Sequence, residues 1–367
     1  VSATGVALVA VGWLTGTLLL WRLPTPPATR RTGLAASVSV VIPARNEEGG
    51  LPRLLTSLGA QAEPVHEVIV VNDGSTDATA TLARAAGATV IDAPAPPPGW
   101  LGKPWACHVG TEAASGERLL FLDADTWLAT DGVERLLAAH ASMTPTGVLS
   151  VQPFHEVRRP YEQLSAICNV VPIMASGVAT PRPARSSPVA FGPCLVTRAA
   201  DLEAAGGFAA VRREIVEDAA LARAYRRVGR PVRCLGGGTI VRFRMYPDGL
   251  RPLIEGWTKN LAGGAPRVSP LALLGAVAWV CAGMSVTADA LTDPSPAVAL
   301  AWLAISAQLA WMLRRLGSFH WITAVFFPVP LLAFVALFLR SLVLRLVRRP
   351  VTWRGRRIDA RRGTMAQ

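Results

Sequence analysis

Leu119-Leu-Phe-Leu-Asp-Ala-Asp-Thr126 sets four apolar residues directly before two carboxylates one residue apart. An apolar run of that length between polar neighbours reads as a buried strand. Twelve Asp in 367 residues would give a D-x-D tripeptide by chance about 0.4 times, so its place at a strand end carries the reading, not its presence. Two carboxylates at the tip of a buried strand are costly unless they meet a cation. Hard oxygen ligands of this kind suit Mg2+ or Mn2+ bridging a diphosphate.

Upstream, the pattern repeats. Apolar runs of strand length stand at Val38–Ile42, Val68–Val71, Thr89–Ile91 and Leu119–Leu122, with another at Val148–Val151. Helical periodicity fills stretches such as Glu47–Ala60 and Asp77–Ala86. Strand alternating with helix means βαβ units and a mainly parallel sheet, with ligand chemistry at the carboxyl ends of the strands. The first strand runs into Val41-Ile-Pro-Ala-Arg-Asn-Glu-Glu48. No G-x-G-x-x-G opens the following turn, and the glycine cluster Gly236–Gly238 is in the wrong place for one, which speaks against hydride chemistry. The second strand runs into Val70-Val-Asn-Asp-Gly-Ser-Thr-Asp77. There Asp73 sits at the tip, Gly74 permits a tight turn, and Ser75, Thr76 or Asp77 caps a helix. Asp73 either belongs to that turn or accepts from a base N–H or ribose hydroxyl.

Together the three strand ends resemble glycosyltransferase family 2, whose domain has the GT-A fold, over Val38 to about Lys259. The resemblance implies that Pro43, Arg45, Glu47 and Asp73 surround the uridine of a UDP-sugar, and that Asp123 and Asp125 serve ribose and metal. Lys103, in Gly99-Trp-Leu-Gly-Lys-Pro-Trp105, matches the lysine near the diphosphate. Gly206-Gly-Phe208 followed by Val216-Glu-Asp-Ala-Ala-Leu221 matches a G-G-F and E-D pair, with Asp218 as general base beside Glu217. An inverting transfer needs a base opposite the leaving diphosphate as the bond to C1 forms. In isolation, Glu217-Asp218 also reads as an acidic helix start favoured by the macrodipole.

The flanks differ in texture. Ala3–Trp21 is uncharged for 19 residues, about 28 Å as a helix and close to bilayer thickness. Arg22, Arg30 and Arg31 follow it, so the expectation is a retained anchor (residues 1–23) with its N-terminus outside, not a signal peptide. Beyond the catalytic segment (37–267), apolar runs recur at Val268–Ala288, Pro294–Leu313 and Phe319–Leu339. The first two should span. The third holds Pro328 and Pro330 at its middle, and a full crossing would leave the basic tail (345–367) outside. A re-entrant hairpin within 268–344 is therefore expected. The whole is expected in the cell membrane, multi-pass, with the catalytic domain cytoplasmic.

Formal charge is +12, from 35 Arg and two Lys against 25 acidic residues. Residues 37–267 carry only +1, while 268–367 carry +8 and 1–36 carry +3. The excess lies beside the apolar runs, so it reads as membrane topology and not as a nucleic-acid surface. Five dispersed cysteines indicate neither a zinc site nor a disulfide framework.

Both lysines sit in motifs despite the bias towards arginine. The second, Lys259, lies in Gly256-Trp-Thr-Lys-Asn260. No Q-x-x-R-W of processive synthases appears there; the segment resembles instead the lipid-modifying subgroup of the family, which acts on carotenoids and hopanoids. That resemblance places Glu217, Trp257, Lys259 and Asn260 on the acceptor side, although Trp257 reads equally as an interfacial aromatic anchor. Val351-Thr-Trp-Arg-Gly-Arg-Arg357 resembles a C-terminal element of such enzymes, or else binds anionic headgroups. The expectation is a metal-dependent, inverting transfer of a hexose, glucose foremost, from a UDP-sugar to a polyisoprenoid lipid. Polyprenyl phosphate or polysaccharide acceptors, and a non-catalytic scaffold, are the alternatives.

Overall fold

The computed structural model describes residues 3–28, 33–214, 216–262, 269–347, 351–353, 356–359 and 364–366. Arg30, Arg31, the boundary near Pro266, and Arg348, Arg349 and Arg354 lie outside them. The five expected strands all form: β1 (Val38–Ala44), β2 (Glu67–Asn72), β3 (Thr89–Asp92), β4 (Arg118–Leu122) and, after the short β5 (Thr126–Leu128), β6 (Val148–Gln152). β7 (Phe154–His155), β8 (Cys194–Arg198), β9 (Val232–Gly236) and β10 (Val241–Phe243) follow. Seven strands make one sheet in the order β3-β2-β1-β4-β8-β6-β9, in which β8 alone runs antiparallel to its neighbours. Parallel pairing in register, Val41 opposite both Ile69 and Phe121, brings the ends of β1, β2 and β4 to one edge.

Helices cover both faces of the sheet, as its near-continuous apolar strands require. α1 (Ala3–Leu19) precedes the sheet. α2 (Leu51–Gly59) and α3 (Thr79–Ala85) follow β1 and β2, and α4 (Gly102–Ala113) and α5 (Gly132–Ala141) follow β3 and β5. One core holds Leu51, Leu54, Leu136 and Leu137 against Val40 and Leu120; the other sets Ala106 and Cys107 of α4 against Val41 and Val71. Gly110 lets α4 lie close on the sheet, since a Cβ there would come within 2.4 Å of Val41 Cγ1. The first turn of α4, with Lys103, is thereby held over the strand ends. α6 (Ala166–Ser176), α7 (Ala199–Ala204), α8 (Glu217–Arg227) and α9 (Leu250–Ala262) complete the domain.

A second small sheet matters for the site. β10 pairs antiparallel with β5, Phe243 opposite Thr126, so the chain leaving the D-x-D is tied to the strand that leads into α9.

α10 (Pro270–Thr292), α11 (Pro296–Leu316) and α13 (Pro328–Leu346) are long and apolar enough to cross a membrane, and α1 contributes a shorter apolar helix. Gly12 and Gly16 bring α1 close to α10: a Cβ on Gly12 would lie 2.4 Å from Ala282 Cβ. Small residues four apart permit such contact where no water drives association. Gln308 of α11 closes the bundle, accepting from Trp279 Nε1 (2.7 Å) and donating to the Trp13 carbonyl (2.6 Å) and Thr17 Oγ1 (2.7 Å).

The third apolar run is not one helix. α12 (Trp321–Val325) ends before Phe326-Phe327, and α13 begins at Pro328, where a missing N–H costs nothing. Before the break, His320 N and Thr323 Oγ1 donate to Gln163 of the catalytic domain, at 3.2 and 2.6 Å. At the break, Phe327 packs on Trp302, about a third of the way along α11 from its N-terminus. After it, α13 runs along α9, and β11 (Val351–Trp353) also lies beside α9. β11 pairs with β12 (Arg356–Asp359), which pairs with β13 (Thr364–Ala366).

Candidate active site

The ends of β1, β4 and β8 and the start of α8 enclose a cleft lined by Pro43, Lys103, Asp123, Gly192, Glu217 and Asp218. Lys103 Nζ lies 2.7 Å from Asp123 Oδ1 and 3.0 Å from Glu217 Oε1. Burial works against its charge, but the two carboxylates outweigh this and hold the ammonium well above the usual lysine range. Glu217 is likewise kept ionised: burial pushes its pKa up, yet Lys103, and then Lys259, pull it below the ordinary carboxylate value. Both lysines of the chain therefore act on one carboxylate.

Asp218 is a different case. Burial and then the charge of Glu217 push its pKa up to about 6, against the opposing effects of Lys103 and two backbone donors. Those donors are Gly192 N to Oδ2 (2.7 Å) and Ala219 N to Oδ1 (2.7 Å). A carboxyl that changes charge near neutrality, fixed by two N–H groups, is suited to taking a proton.

Gly192 was not singled out in the sequence. A Cβ there would sit 3.2 Å from Asp218 Oδ2 and 3.3 Å from Lys103 Nζ, so the residue that orients Asp218 must be small. The Gly192-Pro193 pair before β8 was the available signal. Its neighbour also fixes the D-x-D, since Asp123 N donates to the Pro193 carbonyl at 3.0 Å.

The donor-side wall is stitched across two loops. Arg45 Nη1 donates to the Asp73 and Gly74 carbonyls (2.6 and 3.0 Å), and Asn46 N to Ser75 Oγ (3.0 Å). Thr76 N donates to Asn46 Oδ1 (2.8 Å), and Glu47 N to Thr79 Oγ1 (2.8 Å). Asn46 takes φ 52° and Gly74 φ 64° to make these turns. Asp73 is buried at the β2 tip. The helix after it is not capped as expected: Ala78 occupies the N-cap, while Asp77 Oδ1 accepts from Thr79 N and Asp77 Oδ2 accepts from Glu48 N, bridging to the other loop.

Asp123 and Asp125 fit a divalent ion. Among the described residues no three His, Cys, Asp or Glu side chains converge as a self-sufficient metal site. Two hard carboxylates whose remaining positions would be filled by phosphate and water are what Mg2+ and Mn2+ accept. Three carboxylates, Asp123, Glu217 and Asp218, line the cleft with Lys103, and Lys259 adds its charge at Glu217.

The structure separates the residues expected on the acceptor side. Trp257 is buried, its Nε1 donating to Ser165 Oγ at 2.9 Å and its ring edge-on to Tyr246. This corrects the interfacial-anchor reading, because the indole N–H is satisfied inside the protein. Asn260 is exposed and donates to Tyr246 Oη (3.4 Å). The loop between β10 and α9 was also missed. Arg244 N donates to the Asp125 carbonyl (3.3 Å) and its guanidinium pairs with fully buried Glu162 at 2.6 Å. Tyr246 has φ 56°, a strained value for a bulky residue, and its carbonyl accepts from Tyr161 Oη. This loop joins β10, which pairs with β5 just after the D-x-D, to α9.

Known proteins resemble this chain in sequence and in fold. The family model described as "Glycosyl transferase family 2" matches residues 39–218. The chain is 38% identical over 330 residues to 4,4'-diaponeurosporenoate glycosyltransferase of Staphylococcus aureus (strain USA300), covering 87% of this chain and 88% of that protein. Among solved structures, a mannosyltransferase from Pyrobaculum calidifontis in complex with GDP-Man and Mn2+ superposes with TM-score 0.56 at 19% identity, over 94% of this chain and 98% of that one, a likeness of fold. The chain is a glycosyltransferase and belongs to glycosyltransferase family 2.

Proposed function

We propose that the protein transfers a hexose, with UDP-glucose the leading donor, to a carotenoid carboxylic acid or related polyisoprenoid at the cytoplasmic face of the membrane, with inversion at C1. The observation that carries this is the convergence of Asp123, Lys103, Glu217 and Asp218 in one cleft. Similarity along most of the chain to a relative named for a carotenoid acid supports the acceptor class.

In this reading Pro43, Arg45, Glu47 and Asp73 hold the nucleoside, and Asp123 and Asp125 hold Mg2+ or Mn2+. That ion would supply charge neutralisation of the departing diphosphate. Lys103 adds a second cation on the same side. Asp218, held by Gly192 and Ala219, faces C1 from the acceptor side. It takes the proton of a hydroxyl acceptor; a carboxylate acceptor is already ionised, and Asp218 then only orients it. Lys259, whose charge reaches Glu217, offsets the repulsion such an anion meets from Glu217 and Asp218. Trp257 and Asn260 shape the acceptor side through Tyr246. α10 and α11 span, the α12–α13 segment re-enters, and the tail returns to the catalytic side.

The test is transfer of label from UDP-glucose by the purified full chain, with GDP-mannose in parallel and with carotenoid acid and carotenoid alcohol acceptors. An alkali-labile glucosyl ester of the acid is the expected product. Label appearing instead in an acid-labile polyprenyl phosphate sugar would sink the acceptor assignment.

A further inference from the structure

Lys103 touches two carboxylates that differ in setting. The Asp123 side chain is 29% exposed and that of Glu217 only 12%, with the lysine itself at 33%. One end of the bridge is therefore open to the cleft and the other is embedded. One of the two Asp123 oxygens, Oδ1, is already engaged by an ammonium at 2.7 Å, so a divalent ion at Asp123 would meet that charge beside it. The backbone of α4 cannot carry the charge away, because Gly110 is wedged against Val41; only the four-carbon side chain can move.

We propose that Lys103 is a movable internal cation pivoting on Glu217. Without donor its ammonium holds Asp123 in the place of the metal, and it passes to the diphosphate of the incoming metal–nucleotide while Glu217 keeps it in the cleft. This rests on the nucleotide-diphosphate donor reading. The residue type fits: a lysine is a compact charge with rotatable donors, whereas an arginine would clamp a carboxylate through a rigid planar fork. That distinction matters in a chain with 35 Arg and two Lys. Glu217 is then a positioning residue, acting on the diphosphate only through Lys103. Metal alone competes against Lys103 for Asp123, whereas metal with nucleotide gives Lys103 a new partner, so the two ligands are taken up together.

The experiment is titration of the detergent-solubilised full chain with Mn2+, followed by electron paramagnetic resonance, with and without UDP. The wild type is expected to bind Mn2+ weakly alone and more tightly with UDP. Lys103→Gln should raise the nucleotide-free Mn2+ affinity about fivefold, the worth of one partly exposed ion pair, while shrinking the gain from UDP. Glu217→Gln leaves Lys103 to Asp123 alone. It should lower the nucleotide-free affinity and weaken UDP binding, and it covers the case in which Lys103→Gln does not fold. Unchanged or weaker nucleotide-free binding in Lys103→Gln, or stronger in Glu217→Gln, overturns the pivot. If the wild type shows no effect of UDP on Mn2+ binding, the donor reading falls first and takes the pivot with it.

Discussion

Asp218 is asked to be a base while standing beside Glu217, and the structure reconciles the two by giving them different neighbours. Glu217 has Lys103 and Lys259; Asp218 has two backbone N–H groups and the unfavourable charge of Glu217. Its pKa of about 6 implies that kcat/KM with a hydroxyl acceptor falls tenfold per pH unit below about 6 and levels off above it. A profile flat to pH 5 would remove Asp218 from proton transfer. With a hydroxyl acceptor, Asp218→Asn should keep UDP binding, seen by calorimetry, and lose transfer by at least 100-fold; with a carboxylate acceptor the loss should be smaller. The same substitution bears on stability. Because folding raises this pKa above the unfolded value, the native state binds the extra proton between about pH 4 and 6, and stability from this group declines as pH rises through that window. At pH 7.5 the ionised carboxylate is a cost. Asp218→Asn removes that cost but sets its amide NH2 against one of the two backbone donors, so the expected result is a melting temperature that depends less on pH between about 4 and 7 than the wild type's.

At the scale of elements, the sequence disclosed what local chemistry dictates. The strands ending at Ala44, Asn72 and Leu122 were legible because each is an apolar run closed by polar turn residues. β8 and the Gly192 turn were not. Cys194-Leu-Val is a short run, it lies outside the strand–helix alternation, and its antiparallel direction is fixed only by pairing with β4 and β6. Sequence left Trp257 open between an acceptor-side residue and an interfacial anchor, because its partner, Ser165, lies 92 residues away. The break between α12 and α13 was readable from Pro328 itself. Where sequence was silent, as in the β10–α9 loop, close approach explains the choice of residue. Tyr246 lies over Gly256 so tightly that a Cβ would stand 2.2 Å from its ring. Gly256→Ala must push this ring away, at about 1–3 kcal/mol for overpacking. Because the ring touches Trp257 and Asn260 of α9, which are proposed to shape the acceptor side, the expected result is a raised acceptor KM with unchanged UDP affinity. An equal loss on the donor side would place Tyr246 elsewhere in the mechanism.

Across the whole molecule, the net charge of +12 resolves into a nearly neutral catalytic domain and basic flanks beside apolar helices. The contacts made by those helices bear directly on topology. α11 returns to the catalytic domain, where Ser318 N donates to the His155 carbonyl at 2.9 Å. The α12–α13 segment leaves from Gln163, reaches Trp302 at its break and comes back along α9, with β11 following. In the proposed topology this segment leaves and returns on one side without a second crossing, which would keep Arg345 and the tail with the remaining basic residues. The tail would then stand beside the acceptor-side helix and could touch substrate or anionic headgroups there. A cysteine reporter decides this. Among the described cysteines Cys281 is exposed and the other four are buried, so Thr352→Cys in a Cys281→Ser background adds one reporter thiol, with labelling in detergent as the control for its reach. A membrane-impermeant maleimide should label it in inverted vesicles and not in intact cells. Labelling from outside would make α13 a full crossing and separate the tail from the active site.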